Sequence, residues 1–410
     1  MSVMRTTCAA LALIACAGCA SSRLSSTPDD DGRRDVEMAG ALALRIDSLR
    51  RDLRIPGLAV VILRDTTVLL ARGFGHADVE RQRPVSPETP FNIASVSKPI
   101  SAVVALRLVE TGELDLDRPM RRYRGFIEFC DAVRAEGGIF FRDYACATDS
   151  LSLRHVLSMT ANGERPGTRF WYNPVSYSWA SRPMAEVTGR PFSTLVDSLV
   201  FRPAEMRNAA RIHRRLPLRA DLAAALALPY HIDSAGRVAR SDAPPPQGDG
   251  AAGGVIASAM DLAHFDIALA GGRLLSPQSR AAMWESSKAA DGTSLPYGVG
   301  WYLGTHKGRR LAWHTGLWEG QYSALYLKVL GDTPAQRLTL ILLANSEGLR
   351  WESRLNEAAV ERSPFAAAFL EAFDGTVPGR THRVRTPRRD FAASLTKVRV
   401  VPSLTREQRA

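Results

Sequence analysis

The sequence predicts an α+β fold in which one antiparallel sheet is built from both ends of the chain and is flanked by helices. Near the N-terminus, the β-rich segments 58–63 and 68–75 are joined by a turn at 64–66, which is typical of a hairpin. Short strand-like segments return near the C-terminus, at residues 297–303, 310–313, 322–329 and 338–344. The region between the two groups has helical apolar spacing. Terminal strands around a mainly helical middle favour a sheet with helices packed against it.

One large domain, assigned to residues 41–374, accounts for most of the chain. With 410 residues and 45% hydrophobic content, the sequence can bury a large core. The first helix is expected at 41–53, because a Pro-Gly pair at 56–57 stops the helical spacing before the first strand. Further helices are expected at 106–117 and 153–202.

The first 19 residues, 1–19, have the pattern of a signal peptide with a lipobox. Arg5 supplies a positive start, and the apolar run at 9–17 is too short to span a bilayer. Cys19 is the candidate lipidated residue, and Cys16 is an overlapping alternative. Acyl chains attached there would hold the protein at a membrane. We therefore expect a secreted, lipid-anchored protein of the cell envelope that faces the periplasm, on the outer membrane; an ordinary cleaved leader is the alternative.

Two polar segments flank the predicted domain. Residues 20–40 contain Ser, Pro and an Asp run, which predicts a flexible tether. Residues 375–410 are basic and lack apolar periodicity, which predicts a disordered tail. Docking of this tail on an anionic surface is the alternative interpretation.

The basic net charge of +11 does not by itself predict a nucleic-acid partner. The arginines are scattered, rarely interleave with aromatic residues, and accompany no zinc-finger or helix-turn-helix pattern. The histidines have no tight metal-ligand spacing, and a Gly-rich phosphate loop is absent from the sequence. We expect no metal, no cofactor and no nucleic acid, and we expect a monomer.

Two cysteines remain beyond the leader. Cys130 and Cys146 are 16 positions apart, and an even pair in an oxidising compartment predicts a disulfide. Closing a loop of this length stabilises a fold by roughly 3 kcal/mol in the chain-entropy model. Two free buried thiols are the alternative.

The sharpest chemical signal is Ser95 followed by Lys98, ahead of the mainly apolar segment 100–109. Three-residue spacing on a helix places both side chains on one face. A serine hydroxyl needs a base to become a nucleophile, and a buried lysine can serve where an arginine cannot. Taken alone, the pattern fits an incidental capping serine equally well, since Ser394 and Lys397 repeat the spacing in the tail.

An ordered set of motifs makes the sequence resemble the β-lactamase-related serine hydrolases, which include class C β-lactamases, D,D-peptidases and esterases. The motifs lie at 55–59, 91–98, 112–117, 153–158, 253–255, 297–301 and 314–316. The resemblance covers about residues 41–346. It implies the α+β fold of β-lactamases and transpeptidases, with Ser95 as the nucleophile and Lys98 as its proton acceptor.

The resemblance also implies a Tyr-x-Asn element that helps to move protons. The matching stretch makes Tyr172 the tyrosine and places Pro174 where asparagine is usual, while Asn173 stands one residue early. Tyr172 is therefore expected to carry protons, and Asn173 is the candidate for amide recognition of the substrate. A packed aromatic residue without a catalytic role is the alternative for Tyr172.

The third element of the family, Lys-Thr-Gly in many relatives, corresponds here to His314, Thr315 and Gly316. The resemblance implies that His314 donates a hydrogen bond to the substrate and that Thr315 and Gly316 line its binding edge. The backbone amides of Ser95 and Leu317 are expected to form the oxyanion hole.

These features predict an acyl-enzyme hydrolase of esters or amides, acting on a small-molecule or peptidoglycan-derived substrate such as a β-lactam or a D-Ala peptide. Esterase or peptidase action is favoured over β-lactamase action, because His314 lacks the permanent charge of lysine and Pro174 replaces an amide. The alternative is a catalytically silent, penicillin-binding-like protein that holds a cell-wall fragment or a protein partner.

Overall fold

The computed structural model describes residues 28–374 apart from 147, 164, 213–216, 234, 244–249, 290 and 351–354. The predicted signal peptide, the candidate lipidation residues Cys16 and Cys19, and the basic tail at 375–410 lie outside the described residues.

A seven-stranded antiparallel sheet forms the centre of the domain. The strands of the chain are β1 (Gly57–Arg64), β2 (Thr67–Asp78), β3 (Arg83–Pro84), β4 (Phe91–Asn92), β5 (Ala210–Arg211), β6 (Tyr230–Ile232), β7 (Val238–Arg240), β8 (Val255–Ala257), β9 (Tyr302–His306), β10 (Arg309–Trp318), β11 (Tyr322–Leu330) and β12 (Leu338–Ala344). The central sheet has the order β3-β2-β1-β12-β11-β10-β9, so β1 from one end of the chain pairs with β12 from the other. The predicted antiparallel sheet assembled from both chain ends is confirmed. Two smaller sheets have the orders β4-β8-β5 and β6-β7.

Helices cover the central sheet, whose inner strands are apolar along almost their whole length. Seven of the eight residues of β1 and all seven of β12 are buried, which is typical of strands covered on both faces. The helices are α1 (Pro28–Asp52), α2 (Ser97–Glu110), α3 (Phe126–Glu136), α4 (Leu153–Leu157), α5 (Pro174–Trp179), α6 (Ser181–Thr188), α7 (Phe192–Val196), α8 (Ala220–Ala225), α9 (Ala259–Ala270), α10 (Pro277–Met283) and α11 (Pro364–Ala372). Helix α9 packs against β1, β2 and β12, and α1 packs against β1, β2 and α11.

The prediction of a flexible tether at 20–40 is wrong from Pro28 onward, because α1 begins there. Ala39 is fully buried, so the helical stripe that packs on the domain starts before the predicted boundary. Asp35 forms an ion pair with Arg64 of β1, which ties the exposed part of the helix to the sheet. From residue 32 to residue 37 every residue except Asp35 is exposed, which fits the polar composition.

The helical middle is less regular than the sequence predicts. The helix expected at 106–117 is the end of α2, which stops at Glu110, and Gly112 then takes a left-handed backbone conformation with φ of 73°. The long helical stretch expected at 153–202 is divided into α4 to α7. Within the described residues, no helix combines the length and the apolar character needed to cross a bilayer.

A disulfide joins Cys130 of α3 to Cys146, with the two Cα atoms 5.6 Å apart. Both cysteines are buried. The segment that the disulfide closes is tied to α5, because Tyr144 Oη lies 2.6 Å from Ser176 Oγ. The bridge therefore ties Cys146 back to α3, and the Tyr144–Ser176 hydrogen bond ties the same segment to α5.

A buried ion pair between Lys328 of β11 and Asp266 links α9 to the sheet. Their side chains are 10% and 1% exposed. Asp266 also accepts hydrogen bonds from Tyr326 Oη at 2.5 Å and from Thr339 Oγ1 at 2.9 Å. The carboxylate is thus satisfied by three donors, which makes a buried charge tolerable.

Replacing Lys328 by methionine is expected to lower the free energy of unfolding by about 3–5 kcal/mol, because Asp266 would be left as a buried, unpaired charge. Urea unfolding followed by circular dichroism measures the change. The matched control is Lys288→Met, since Lys288 is exposed and its side chain bonds only Ser294 Oγ, at 3.0 Å, in the described structure. Equal stability of K328M and K288M contradicts the prediction.

Candidate active site

Ser95 lies in a short 3₁₀ turn, Ala94–Val96, between β4 and α2. Ala94 has φ of 47°, a conformation that side chains other than glycine rarely adopt. Two local hydrogen bonds hold it: the Ala94 amide donates to Asn92 Oδ1 at 2.9 Å, and Ser97 Oγ donates to the Ala94 carbonyl at 2.7 Å. The turn that presents Ser95 is therefore fixed from both sides.

Helix α2 begins at Ser97, so Pro99 lies in its first turn. A proline is accepted there because the first amides of a helix have no partner within the helix. The sequence places Lys98 one helical turn after Ser95, and the structure brings the two side chains together.

The Lys98 Nζ atom lies 2.8 Å from Ser95 Oγ and 3.0 Å from the carbonyl oxygen of Ala252. The carbonyl can only accept a hydrogen bond, so one N–H of Lys98 points at Ala252. In the neutral amine, the lone pair is then free to receive the proton of the Ser95 hydroxyl. The geometry is that of a nucleophile beside its base.

Lys98 is fully buried, and this burial sets its charge state. Desolvation lowers the pKa of the Lys98 amine well below its ordinary value of 10.5. No carboxylate among the described residues forms an ion pair with Lys98, while the rings of Tyr172 and Tyr177 lie 5.1 Å and 5.5 Å from Nζ. The ring faces attract a cation, but burial without a carboxylate partner favours the uncharged form that can act as a base.

Tyr172 is buried beside the Ser-Lys pair, with its ring 5.1 Å from Lys98 Nζ. Burial raises the pKa of the Tyr172 phenol, and the nearby Ser95 hydroxyl only partly opposes this rise. Its backbone amide donates to Asn356 Oδ1 at 2.7 Å. Tyr172 is therefore a neutral phenol held at the nucleophile.

The assignment of Asn173 to substrate binding is wrong. Its Oδ1 accepts the Ser176 amide at 2.9 Å, which caps the N-terminus of α5, and Pro174 is the first residue of that helix. Its Nδ2 donates to the Phe140 carbonyl at 2.7 Å and to Asn162 Oδ1 at 3.2 Å. The amide is fully used inside the protein, so it has no free atom for a substrate.

The expectation that His314 donates a hydrogen bond to the substrate is also wrong. The ring is fully buried, with Nδ1 at 2.7 Å from the Thr315 carbonyl and Nε2 at 2.9 Å from Tyr297 Oη. Burial lowers the pKa of His314 well below 6.5; a positive charge on Lys98 would act in the same direction, and the hydrogen bond with the Thr315 carbonyl acts against it. Both ring nitrogens have protein partners, so neither nitrogen is offered to a substrate and His314 serves as a packed residue of the site.

One edge of β10 beyond Trp313 is open next to the nucleophile. The pairing of β10 with β9 ends at Trp313, whereas its pairing with β11 continues to Trp318. Thr315 and Leu317 share an edge because backbone groups alternate along a strand. The strand packs against the turn that carries Ser95. These positions are consistent with the expected oxyanion hole at the amides of Ser95 and Leu317.

Gly316 lets β10 approach the nucleophile turn. A Cβ atom at this position would lie 2.2 Å from the carbonyl oxygen of Ile93, a backbone atom that cannot move aside cheaply. Trp318 strengthens the same contact, because its Nε1 donates to Asn92 Oδ1 at 2.8 Å. The glycine of the third motif therefore brings the strand edge against Ser95.

Arg211 and Ser101 hold the segment that carries the Ala252 carbonyl. Arg211 donates through Nη1 to the Gly253 carbonyl at 2.9 Å and through Nη2 to the Gly250 carbonyl at 2.8 Å. Ser101 Oγ donates to the Ala251 carbonyl at 2.6 Å. Sequence reasoning missed these residues, because only the 253–255 motif marks this part of the chain.

Sequence reasoning also missed Asn92 and Tyr297 as site residues. Both lie inside motifs that carry the family resemblance, and that was the only signal for them. Across the described part of the chain, no cluster of three or more His, Cys, Asp or Glu residues is arranged to hold a metal ion.

Comparison with known proteins gives a consistent result. The Beta-lactamase family model matches residues 42–362. Esterase EstB of Burkholderia gladioli is 29% identical over 254 residues, which cover 52% of this chain and 62% of the esterase. Penicillin-binding protein 4* of Bacillus subtilis (strain 168) is 25% identical over 342 residues, which cover 76% of this chain and 72% of that protein. The chain thus spans less than two thirds of the esterase.

Solved structures show the same fold. A penicillin-binding protein homologue from Pyrococcus abyssi superposes with a TM-score of 0.63 at 20% identity, over 81% of this chain and 77% of that chain. D-Amino acid amidase from Ochrobactrum anthropi superposes with a TM-score of 0.60 at 19% identity, over 84% of this chain and 99% of the amidase. The predicted β-lactamase and transpeptidase-like α+β fold is confirmed.

Replacing Lys98 by arginine is expected to reduce kcat/KM on a chromogenic ester by about 10²–10⁴-fold, because a guanidinium cannot accept the Ser95 proton. Initial rates with p-nitrophenyl acetate measure the loss, and circular dichroism checks the fold. The matched control is Lys288→Arg, which changes an exposed lysine and should keep the wild-type rate. Wild-type activity of K98R rules out Lys98 as the base.

The pH dependence of kcat/KM is expected to follow the protonation of Lys98. The neutral amine is the active form, so activity is full above its pKa and is lost as the pH falls through it. Since burial lowers this pKa well below 10.5, the midpoint should lie far to the acid side of an ordinary lysine. Rates on an uncharged ester over a pH series test this. An activity that appears only near 10.5 contradicts the buried, neutral amine.

Proposed function

The chain belongs to the Beta-lactamase family, and we propose that it is a serine hydrolase that works through an acyl-enzyme. One observation carries the proposal: Ser95 Oγ lies 2.8 Å from the buried amine of Lys98, which has no carboxylate partner among the described residues. The activity named for esterase EstB supports the same reaction class.

In the first half-reaction, Ser95 Oγ forms a bond to the carbonyl carbon of an ester or amide while its proton passes to Lys98 Nζ. The negative charge that develops on the carbonyl oxygen is received by the amides of Ser95 and Leu317. The intermediate collapses when the bond to the leaving group breaks. Tyr172 then gives its phenol proton to the leaving alcohol or amine and is reprotonated by the Lys98 ammonium.

In the second half-reaction, water attacks the acyl-enzyme and the same groups work in reverse. One proton of the water passes through Tyr172 to Lys98, and a hydroxyl bond forms to the acyl carbon. Ser95 leaves and takes the proton back from Lys98. The products are a carboxylic acid and the regenerated serine, so the balance requires only water.

The preferred substrates are uncharged or weakly charged esters and small amides. Neither Lys98 nor His314 offers a positive charge to a substrate carboxylate, because burial lowers the pKa of both groups. Pro174 begins α5 where the family usually has an asparagine, so that amide is also missing. Esterase or peptidase action therefore ranks ahead of β-lactamase action.

The proposed place of action is the cell envelope, with the enzyme acting as a monomer on a small-molecule or peptidoglycan-derived substrate. Support comes from the leader-like pattern at 1–19 and from Cys19 or Cys16 as the lipidated residue. The alternative is a catalytically silent binding protein, which the missing amide at Pro174 favours. The contact between Ser95 Oγ and the buried amine of Lys98 at 2.8 Å supports the hydrolase instead.

Covalent labelling tests the nucleophile. A fluorophosphonate probe is expected to add once to the wild-type chain, and S95A should remain unlabelled in intact-mass spectra. Ser394→Ala is the matched control, since Ser394 shares the Ser-x-x-Lys spacing but lies in the tail. Full labelling of S95A defeats the assignment.

A substrate panel tests the reaction class. We expect turnover of p-nitrophenyl esters or D-amino-acid amides to exceed turnover of penicillin by at least about tenfold, in line with the missing charge and amide. The acylated Ser95 peptide is identified by mass spectrometry. Binding of a muropeptide without any turnover of esters, amides or penicillin would instead support the silent binding protein.

A further inference from the structure

Tyr297 is a buried residue of the site to which the resemblance assigns no role. Its ring is fully buried, and its hydroxyl lies 2.9 Å from His314 Nε2. The two rings meet edge to face, with centroids 6.0 Å apart. Tyr297 is placed by a backbone bridge to Tyr302 at the start of β9. The contact with His314 is thus built into the core beneath the open edge of β10.

The partners of His314 define which nitrogen carries its proton. The Thr315 carbonyl lies 2.7 Å from Nδ1 and can only accept, so Nδ1 must donate. Nε2 then carries the lone pair, and the Tyr297 hydroxyl is the donor to it. The hydrogen bond from Nδ1 also fixes the Thr315–Gly316 peptide, which directly precedes the Leu317 amide on the strand edge.

This arrangement opposes a second proton on the imidazole. A proton on Nε2 would turn the Tyr297 hydroxyl from donor to acceptor, and it would place a cation in the pocket that receives the Ser95 proton. Five titratable side chains lie around the His314 ring: Lys98 of α2, Tyr172, Tyr297, Tyr302 of β9 and Tyr326 of β11. The Tyr326 hydroxyl donates to Asp266. Lys98 is the one of these that becomes a cation during the proposed reaction.

We propose that Tyr297 is a positioning residue: by donating to His314 it keeps the imidazole neutral and in the Nδ1–H tautomer. The proton from Ser95 then resides on Lys98 alone, without repulsion from a second cation. The same ring holds the peptide that leads to Leu317. The kinetic part of this inference rests on the proposed function, whereas the tautomer itself does not.

Tyr302→Phe is the matched control for Tyr297→Phe. Tyr302 is also a buried tyrosine whose ring lies 5.3 Å from the His314 ring. Its hydroxyl, however, donates to the Leu355 carbonyl at 3.0 Å and makes no hydrogen bond to the imidazole. The two variants therefore remove the same atom from the same cluster, and only Y297F removes a bond to His314.

The tautomer is measured by long-range ¹H–¹⁵N NMR of the full chain labelled at histidine, with His314→Asn used to assign the signal. Wild type and Y302F are expected to show His314 as the Nδ1–H form. Y297F is expected to show a mixture of tautomers, because Nε2 loses the hydroxyl that donates to its lone pair. An Nε2–H form in the wild type overturns the proposal, even if Y297F does not fold.

Kinetics on an uncharged ester give the second readout. Y297F should lower kcat by about tenfold with little change in KM, because an imidazole that no longer donates from Nδ1 to the Thr315 carbonyl stops fixing the peptide before the Leu317 amide. Y302F should keep the wild-type kcat. An unchanged kcat in Y297F, with the Nδ1–H form retained, overturns the proposal. Failure of Ser95 labelling would defeat the proposed function while the NMR result still decides the tautomer.

Discussion

The chemistry of this site depends on one buried amine that has no ion-pair partner among the described residues. Lys98 is fully enclosed and contacts the Ser95 hydroxyl and the Ala252 carbonyl. Removing an amine from water without a compensating charge disfavours its protonated form. The rest of the site maintains this condition: the tyrosines around the amine supply no carboxylate, both ring nitrogens of His314 have protein partners, and Arg211 holds the segment that presents the Ala252 carbonyl.

A second buried lysine, Lys328, shows that the group which contacts a buried amine determines the role of that amine. Lys328 is also enclosed, but it contacts Asp266, which accepts further hydrogen bonds from Tyr326 and Thr339. There the charges are paired, and the cluster joins α9 to the sheet. At Lys98 a carbonyl stands where Lys328 has a carboxylate, so the same residue type serves stability at one position and proton transfer at the other.

The site is assembled from segments that are distant in the chain. The pairing of β1 with β12 joins the two chain ends, and this places β10 and β11 beside the turn that carries Ser95. Tyr172 comes from the helical middle, where Asn173 caps α5 and the disulfide holds the segment after α3. The functional groups therefore depend on the whole sheet for their mutual distances, and the local turn at Ser95 supplies only the nucleophile and its base.

Local patterns in the sequence were sufficient for the hairpin at 58–75, the returning strands, and the pairing of Ser95 with Lys98, because strand alternation and helical spacing act over a few residues. The ordered motifs also located Tyr172 and the β10 edge. The sequence did not reveal that α1 begins at Pro28, since a solvated helix and a tether have similar compositions. Only the tertiary structure decided that Asn173 is a cap, that His314 is fully bonded and that Lys98 is buried. Hydrogen-bond partners and desolvation come from residues far apart in the chain, and these set both charge state and tautomer.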